Sequence, residues 1–436
     1  MKRKRYEAYK ESGIEWIGEI PAHWMKEKIK FLFSEKKKES NPNLRSGAIS
    51  FGKVIYKDDE KVPFETKKSY QVVNKGEFLI NPLNLNYDLK SLRIALSEID
   101  VVVSQGYIVL QLKKEDASRI YLSYLLHIFD ILFMKSLGAG VRQTISFNDL
   151  ANCFLPLPPK QEQIQIADYL DQKTAQIDKA VTLKERLIAL LKEQRQILIN
   201  RAVTQGLDPD VPMKESGVEW IGKIPAHWEV RKLKFVIKNK LKYGANESGI
   251  PYDEKLPRYV RITDFSDSGK LSEANKLSLP WEIGKEYLLN DGDILFARSG
   301  ATVGKTYQFK KSMSKEKYYA FAGYLIKAEP NENIVLSDYL YLFTNSDLFE
   351  KWKQHIFNKA TIENIGADKY SELLITLPPL NVQKDILNKY NIKKEKIDKA
   401  IDLQEKQIDK LKAYKASLID AVVTGKVKIV DSVYSK

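Results

Sequence analysis

The chain has 436 residues, 71 Lys and Arg against 57 Asp and Glu, a formal net charge of +14, 43% hydrophobic residues, four His and one Cys. At about 150 residues per domain, that length suits two or three domains, each able to bury its own core. A lone Cys153 excludes a disulfide scaffold and leads us to expect a reduced, cytoplasmic setting. Neither a leader nor a membrane anchor is expected, because Met1 to Ser12 mixes Lys, Arg and Glu, and the near-apolar stretch Tyr121 to Met134 is broken by Ser123, His127 and Asp130.

The basic excess is spread rather than held in a tail, at +5 over 25–159 and +3 over 229–379. Such a spread suits a protein lying along a polyanion, where each neutralised phosphate releases counterions. An ordinary lysine-rich surface accounts for it equally well.

In chain order the first feature is a repeat. Residues 9–24, YKESGIEWIGEIPAHW, return as 213–228, MKESGVEWIGKIPAHW, with 13 of 16 positions identical. A second pair follows: Leu157-Pro158-Pro159 returns as Leu377-Pro378-Pro379, and 160–204 aligns without a gap on 380–424, with 16 of 45 identical. The chain is therefore a duplication. It divides into a frame segment (1–24), a variable domain (25–156), a helix (157–204), a repeated frame segment (205–228), a second variable domain (229–376), a second helix (377–424) and a tail (425–436).

The frame segment combines Trp, Ile and Pro over a short span and reads as a packed clasp. The variable segments share scattered echoes: Gly76 to Ile80 with Gly292 to Phe296, Gly106-Tyr107-Ile108 with Gly323-Tyr324-Leu325, and Tyr121-Leu122 with Tyr339-Leu340. Short β-rich runs at 77–80, 107–112, 294–296 and 318–327 predict strands, while 121–137 and 337–352 predict helices packed on them. The expected class is α+β.

Both long segments open after Pro-Pro and contain no further Pro or Gly. Their shared apolar positions are Ile166, Leu170, Ile177, Val181, Ile188, Leu191 and Leu198, matched by Ile386, Tyr390, Ile397, Ile401, Ile408, Leu411 and Leu418. A period near ~3.56 residues makes a narrow coiled-coil seam, so each helix is expected to pack on the other. A duplicated unit with a two-fold relation would set them antiparallel.

Several motifs fail. Gly300 to Thr306 imitates a phosphate-binding loop but has three residues between its glycines instead of the four that wrap a phosphate, and a glycine turn between strands accounts for it better. Asn81-Pro82-Leu83-Asn84 lacks the second proline and the stacking aromatic of amino-methyltransferases and reads as a turn after the strand ending at Ile80. The four histidines show no metal-ligand spacing, and no nucleophile signature appears. The chain is expected to be non-catalytic.

The repeated Glu-Ser-Gly-x-Glu-Trp-Ile-Gly-x-Ile-Pro-Ala-His-Trp, the Gly292 to Leu295 turn and the Leu-Pro-Pro-x3-Gln segments at 157–163 and 377–383 together resemble the specificity (S, HsdS-like) subunit of type I restriction-modification systems. One departure is local: Glu162-Gln163 in the first copy is Val382-Gln383 in the second. The resemblance implies two target recognition domains, each reading half of a split asymmetric site in double-stranded DNA, set apart by two long helices that fix the half-site spacing and dock methyltransferase subunits. It implies no cofactor in this chain, with S-adenosylmethionine, ATP and magnesium on the methyltransferase and the motor-nuclease (restriction) subunits.

Arg reads guanine bidentately whereas Lys serves phosphates as a point charge. The expected base readers are therefore Arg142 and Gln143, and Arg298 and Ser299, with Arg258 and Arg261 behind them; Lys305, Lys310 and Lys311 suit phosphates. The competing readings are a helical scaffold that bridges partner proteins without reading DNA, and an enzyme with an unrecognised site.

Overall fold

The computed structural model describes residues 4–83, 92–134, 144–206, 210–266, 269–300, 302–357 and 364–429. They form two compact units, one from Met1–Lys184 with Glu405–Lys436, the other from Glu185–Gln404. Two continuous helices, Lys160–Thr204 and Leu380–Val423, contribute residues to both.

Each unit is built on one plan. In the first, a four-stranded antiparallel sheet runs in the order Phe33–Glu35, Ile108–Leu112, Phe78–Ile80, Ile94–Leu96. In the second, the corresponding order is Lys242–Tyr243, Leu325–Ala328, Ile294–Ala297, Thr306–Gln308. Two of the three sequence echoes thus mark the two central strands of each sheet, and the third, Tyr121-Leu122 with Tyr339-Leu340, lies in the helices Arg119–Leu132 and Ser337–Thr344. The strand echoes survive because those strands are buried on both faces: Phe78 to Ile80 and Ile294 to Ala297 are all 1% exposed or less.

The glycine before each echo has a structural reason. Gly76 and Gly292 sit at φ +89° and +87°, where a side chain would be strained. The turn they make points the next carboxylate inward, so Glu77 accepts from the backbone N–H of Asn74 and Asp293 from that of Asn290. Each buried acid then meets a lysine from another strand or its flank: Lys36 lies 2.9 Å from Glu77, and Lys327 lies 3.2 Å from Asp293. Burial pushes the Asp293 carboxyl above its ordinary value, against the pull of the Asn290 N–H and Lys327.

A strand beside the frame segment closes each unit. Met25–Lys28 pairs antiparallel with Phe154–Leu157, and Glu229–Lys232 with Leu374–Leu377. The Pro-Pro pair then starts the long helix, and the glutamine that both copies share explains the motif. Gln163 Nε2 donates to the Pro158 carbonyl while its Oε1 accepts from Ser118 N–H. Gln383 donates to Pro378 and Ile334 and accepts from Leu336. A buried amide that satisfies three backbone groups is not replaceable by an apolar residue of the same size. The Glu162 departure also has a use: its carboxylate takes the Tyr6 hydroxyl at 2.5 Å and His23 Nε2 at 2.8 Å.

The two helices run antiparallel. Within the first unit Lys415 Nζ reaches Asp178 at 2.6 Å and Lys184 donates to Gln407, so one residue number climbs as the other falls. Within the second, Arg195 pairs with Asp398 at 3.1 Å. Ile166, Leu170, Ile177, Val181 and Ile188 are buried, as are Ile386, Tyr390, Ile397, Ile401, Ile408 and Leu418; Leu191, Leu198 and Leu411 are half-buried. Among the described residues no helix is long and apolar enough to cross a membrane.

The repeated frame segment is a hairpin that seals a helix end. Tyr9–Ile14 pairs with Ile17–Pro21 in the first copy, Met213–Glu215 with Lys223–Pro225 in the second. Trp24 and Trp228, at 0% and 1% exposure, close each hairpin. Gly425 and Gly206, with φ of +77° and +74°, stop the long helices. A Cβ added to Gly425 would lie 2.4 Å from Pro21 and 3.2 Å from Trp24, and one added to Gly206 would lie 3.4 Å from Trp228. The first frame copy therefore covers the end of the second helix, and the second copy covers the end of the first.

Candidate nucleic-acid interface

The two sheets carry equivalent strand ends with different contents. In the second unit the strand Ile294–Ala297 delivers Arg298, whose backbone is fixed from both sides. Its N–H donates to the Tyr324 carbonyl at 3.0 Å, and its own carbonyl accepts from Ile365 N–H at 2.8 Å. The guanidinium carbon lies 5.1 Å from the centroid of Tyr243, within cation–π range, and Tyr243 is fixed in turn because its hydroxyl accepts from Ala367 N–H. Ser299 pairs with Asn364 across an isolated antiparallel bridge. Beyond it the turn holding Gly300 and Gly304, at φ +84° and +79°, returns the chain to the strand Thr306–Gln308. That is the glycine turn between strands that the sequence favoured over a phosphate loop.

In the first unit the strand Phe78–Ile80 delivers Asn81 and Pro82. The Pro82 carbonyl accepts from Ile145 N–H at 3.1 Å, as Arg298 does from Ile365, and Leu83 pairs with Thr144 as Ser299 does with Asn364. Pro82 thus stands where the other unit has Arg298. Arg142 and Gln143 lie outside the described residues; they immediately precede Thr144 in the chain.

The remaining candidates divide sharply. Arg258 is 2% exposed and sits over an acid cluster, with Nη1 at 3.1 Å from Glu273 and 3.3 Å from Glu316 and Nη2 donating to the Ser272 carbonyl. Burial works to raise the Glu316 carboxyl, but the Tyr319 hydroxyl, Lys276 and Arg258 together hold it below its ordinary value. A guanidinium so committed cannot offer its fork to a base edge, and Arg258 is a structural ion. Arg261 turns back on Asp264 at 3.0 Å and on the Asn275 carbonyl. Lys310 pairs with Asp338, and Lys305 Nζ lies 3.3 Å from the Phe265 carbonyl. Lys311 is exposed. Beside the Arg258 cluster opens a cleft of about 550 Å³ rimmed by Lys255, Lys315 and Lys317, a cationic feature that no motif announced.

Sequence reasoning missed Tyr243 and Tyr324. Tyr324 is 64% exposed at the turn whose carbonyl holds Arg298. Its echo in Gly106-Tyr107 was visible, but an echo marks the shared frame and does not reveal which way a ring faces. Among the described residues no group of His, Cys, Asp or Glu could hold a metal ion. His127 Nε2 donates at 2.9 Å to the Ile94 carbonyl, and burial lowers its pKa despite that bond and the nearby Asp130.

Two sheets of one plan, sealed by one repeated clasp and ending in different side chains, define a duplicated two-module fold. The profile of the type I restriction modification DNA specificity domain matches residues 24–193 and again 225–413. The chain belongs to that family. It is 24% identical over 254 residues to the type I restriction enzyme EcoBI specificity subunit of Escherichia coli, covering 56% of this chain and 52% of that one. It is 23% identical over 329 residues to the MjaVIII specificity subunit of Methanocaldococcus jannaschii, covering 70% and 69%. The chain spans about half the length of several of the curated relatives it matches. Among solved structures, a chain from a study of complex assembly and conformational transition of the type I R-M system aligns with TM-score 0.69 at 17% identity, over 94% of this chain and 99% of that one. The HsdS subunit from Thermoanaerobacter tengcongensis aligns with TM-score 0.51 at 17% identity, over 94% and 98%. These likenesses carry the fold.

Proposed function

We propose that this chain is the sequence-reading specificity subunit of a type I restriction-modification complex. Each sheet, with the strand-end loops it carries, reads one half of a bipartite, asymmetric duplex site. The two helices space the half-sites and dock the methyltransferase subunits, while catalysis, S-adenosylmethionine, ATP and magnesium belong to those partners and to the motor-nuclease subunits. The observation that supports this most directly is the pair of equivalent strand-end bridges, Leu83–Thr144 and Ser299–Asn364, which present different residues from one backbone frame. That is what two readers of two different half-sites require.

On this reading Arg298, steadied by Tyr243, is the base reader of the second unit, with Ser299 beside it and Lys305 and Lys311 toward phosphate; Arg142 and Gln143 hold the corresponding role in the first. The boundaries 25–156 and 229–376 delimit the two readers. A gel shift of the purified chain with methyltransferase subunits against mixed genomic duplexes at several salt concentrations tests the reading. A DNA reader loses affinity steeply and linearly in log salt, and methylome sequencing of a host carrying the system returns a split motif. Salt-insensitive or absent DNA binding with intact subunit assembly would favour a helical scaffold that only bridges proteins.

A further inference from the structure

A short hairpin in the first unit, Gly47–Ser50 paired with Lys53–Tyr56, turns through Phe51 and Gly52. Both turn residues have positive φ, +47° and +73°. Two such residues between paired strands make a primed hairpin turn, which ordinarily takes Asn-Gly or Asp-Gly because only those types enter the left-handed region at low cost. The one other described non-glycine residue in that region is Asn275. Phe51 is the wrong residue for its backbone.

It is not held there by packing of its own ring, which is 91% exposed. The turn is fixed through its neighbour. Gly52 is buried, and a Cβ on it would meet Leu92 at 2.7 Å and His127 Nε2 at 3.3 Å. The hairpin is thus pressed onto the body of the unit by a glycine and points a large apolar ring at solvent from a strained backbone. A non-glycine residue held in the left-handed region, with a ring that its own fold does not use, points to a contact outside the chain.

Place and charge favour one occupant. Leu92 precedes the strand Ile94–Leu96, which begins where the strand Phe78–Ile80 ends, since Ile80 pairs with Ile94 and the Asn81 N–H donates to the Arg93 carbonyl. The Phe51 turn therefore lies at the same end of the sheet as Asn81 and Pro82. Lys53 and Lys57 are exposed on the hairpin's second strand and just past it, and Arg45, just before the first strand, lies over the Tyr56 ring at 4.3 Å. Ile55 and Tyr56 are exposed beside it, and of the acids that follow Lys57, Asp58 and Asp59 are paired with Lys61 and Lys67. An exposed apolar tip with Lys53, Lys57 and Arg45 around it suits a nucleic acid duplex, where phosphates meet the cations and the ring enters between two base pairs.

We propose that Phe51 is a wedge that partly unstacks one base step in or beside the half-site read by the first unit, deforming the duplex against the hairpin. This rests on the DNA-reading function proposed above. Its contribution is positional: the deformed step fixes register for the loops that read bases, and adds sequence preference at a step no side chain hydrogen-bonds, because flexible pyrimidine–purine steps unstack most easily.

The test uses the full chain assembled with its methyltransferase subunits and a duplex carrying the methylated motif found by methylome sequencing, with 2-aminopurine placed in turn at each position of the first half-site. Bound wild-type complex brightens the probe at one step. Phe51→Gly relieves the left-handed strain, so its thermal midpoint rises, while its affinity for the motif falls roughly tenfold and the bright step is quenched. Phe51→Leu, which keeps an apolar wedge, retains most of both signals. Wild-type complex that ignores the motif duplex overturns the DNA-reading proposal itself. Motif binding and probe signal equal in wild type and Phe51→Gly overturn the wedge alone. Normal DNA binding by Phe51→Gly together with loss of the methyltransferase subunits would assign the ring to a protein partner and also overturn it.

Discussion

The Thr376 hydroxyl donates a 2.6 Å hydrogen bond to the Val203 carbonyl, tying the strand before the second long helix to the last turn of the first. Both groups are fully buried. In the other unit Tyr121 serves the same purpose, its hydroxyl lying 3.2 Å from the carbonyls of Val423 and Pro156. Helix-end carbonyls lack intrahelical partners, and these two find theirs in side chains.

Thr376→Val keeps the shape and removes the donor. With Val203 left unpaired in a dry site, the second unit should lose about 1–3 kcal/mol, read as a lower denaturation midpoint with an unchanged denaturant slope. The seam distant from it, at Asp178 and Lys415, should keep its hydrogen-exchange protection.

His127 gives a pH dependence of stability. Burial lowers its pKa in the folded state below the ordinary value of 6.5, so below about pH 6.5 the unfolded chain binds a proton that the folded chain refuses. Stability is fully present above that value and declines as pH falls toward the depressed folded pKa. Asp130, which is buried and paired with Arg93 at 3.0 Å, and the Ile94 carbonyl moderate the effect. Thermal midpoints measured from pH 7.5 to 5.5 should fall for the wild type, and a variant His127→Gln should show a flatter curve over the same window.

Exchanging 25–156 for a foreign recognition domain should change one half of the methylated motif and leave the other intact. Methylome sequencing reads this directly; alteration of both halves would remove the two-reader proposal.

Removing one heptad from each helix, 182–188 with 402–408, keeps the apolar stripe in phase and nearly preserves the pairing read from Lys184 and Gln407. At 1.5 Å of rise per residue the cut shortens each helix by about 10 Å, roughly three base pairs. The number of unread bases in the motif should fall while the half-site sequences persist. An unchanged spacer in a folded, active variant would count against the helices as a ruler.

The frame was legible in the sequence because its signals are periodic or duplicated. The seam positions recur in both helices, and the shared Gly-acid-apolar turn marked the two central strands. The antiparallel direction needed the duplication as well as the period. Individual side chains were less legible. Arg258 shows no sequence mark of burial, since its acids come from 273 and 316, far along the chain. The 47–56 hairpin escaped because its turn is Phe-Gly and lacks the Asn or Asp that announces a primed turn. The strand-end position of Arg298 was legible because it follows a recognisable strand, while Tyr243, whose ring it lies over, comes from 55 residues upstream by a pairing that no local pattern encodes.

The acid–lysine pairs within the sheets bear on how such domains can recombine. Glu77 draws its counter-charge from Lys36, which lies on the far side of the 47–56 hairpin in sequence, and both side chains are 10% exposed or less. A crossover between 36 and 77 that imported a neutral residue at either position would strand a buried ion, at about 3–5 kcal/mol. In the second unit the partners are Asp293 and Lys327, and the lysine follows the acid in the chain instead of preceding it. The two sheets therefore tolerate different breakpoints. An exchange of a whole unit joined at the frame segments keeps both members of each pair together, so the clasp that both copies share is a breakpoint that strands neither buried ion.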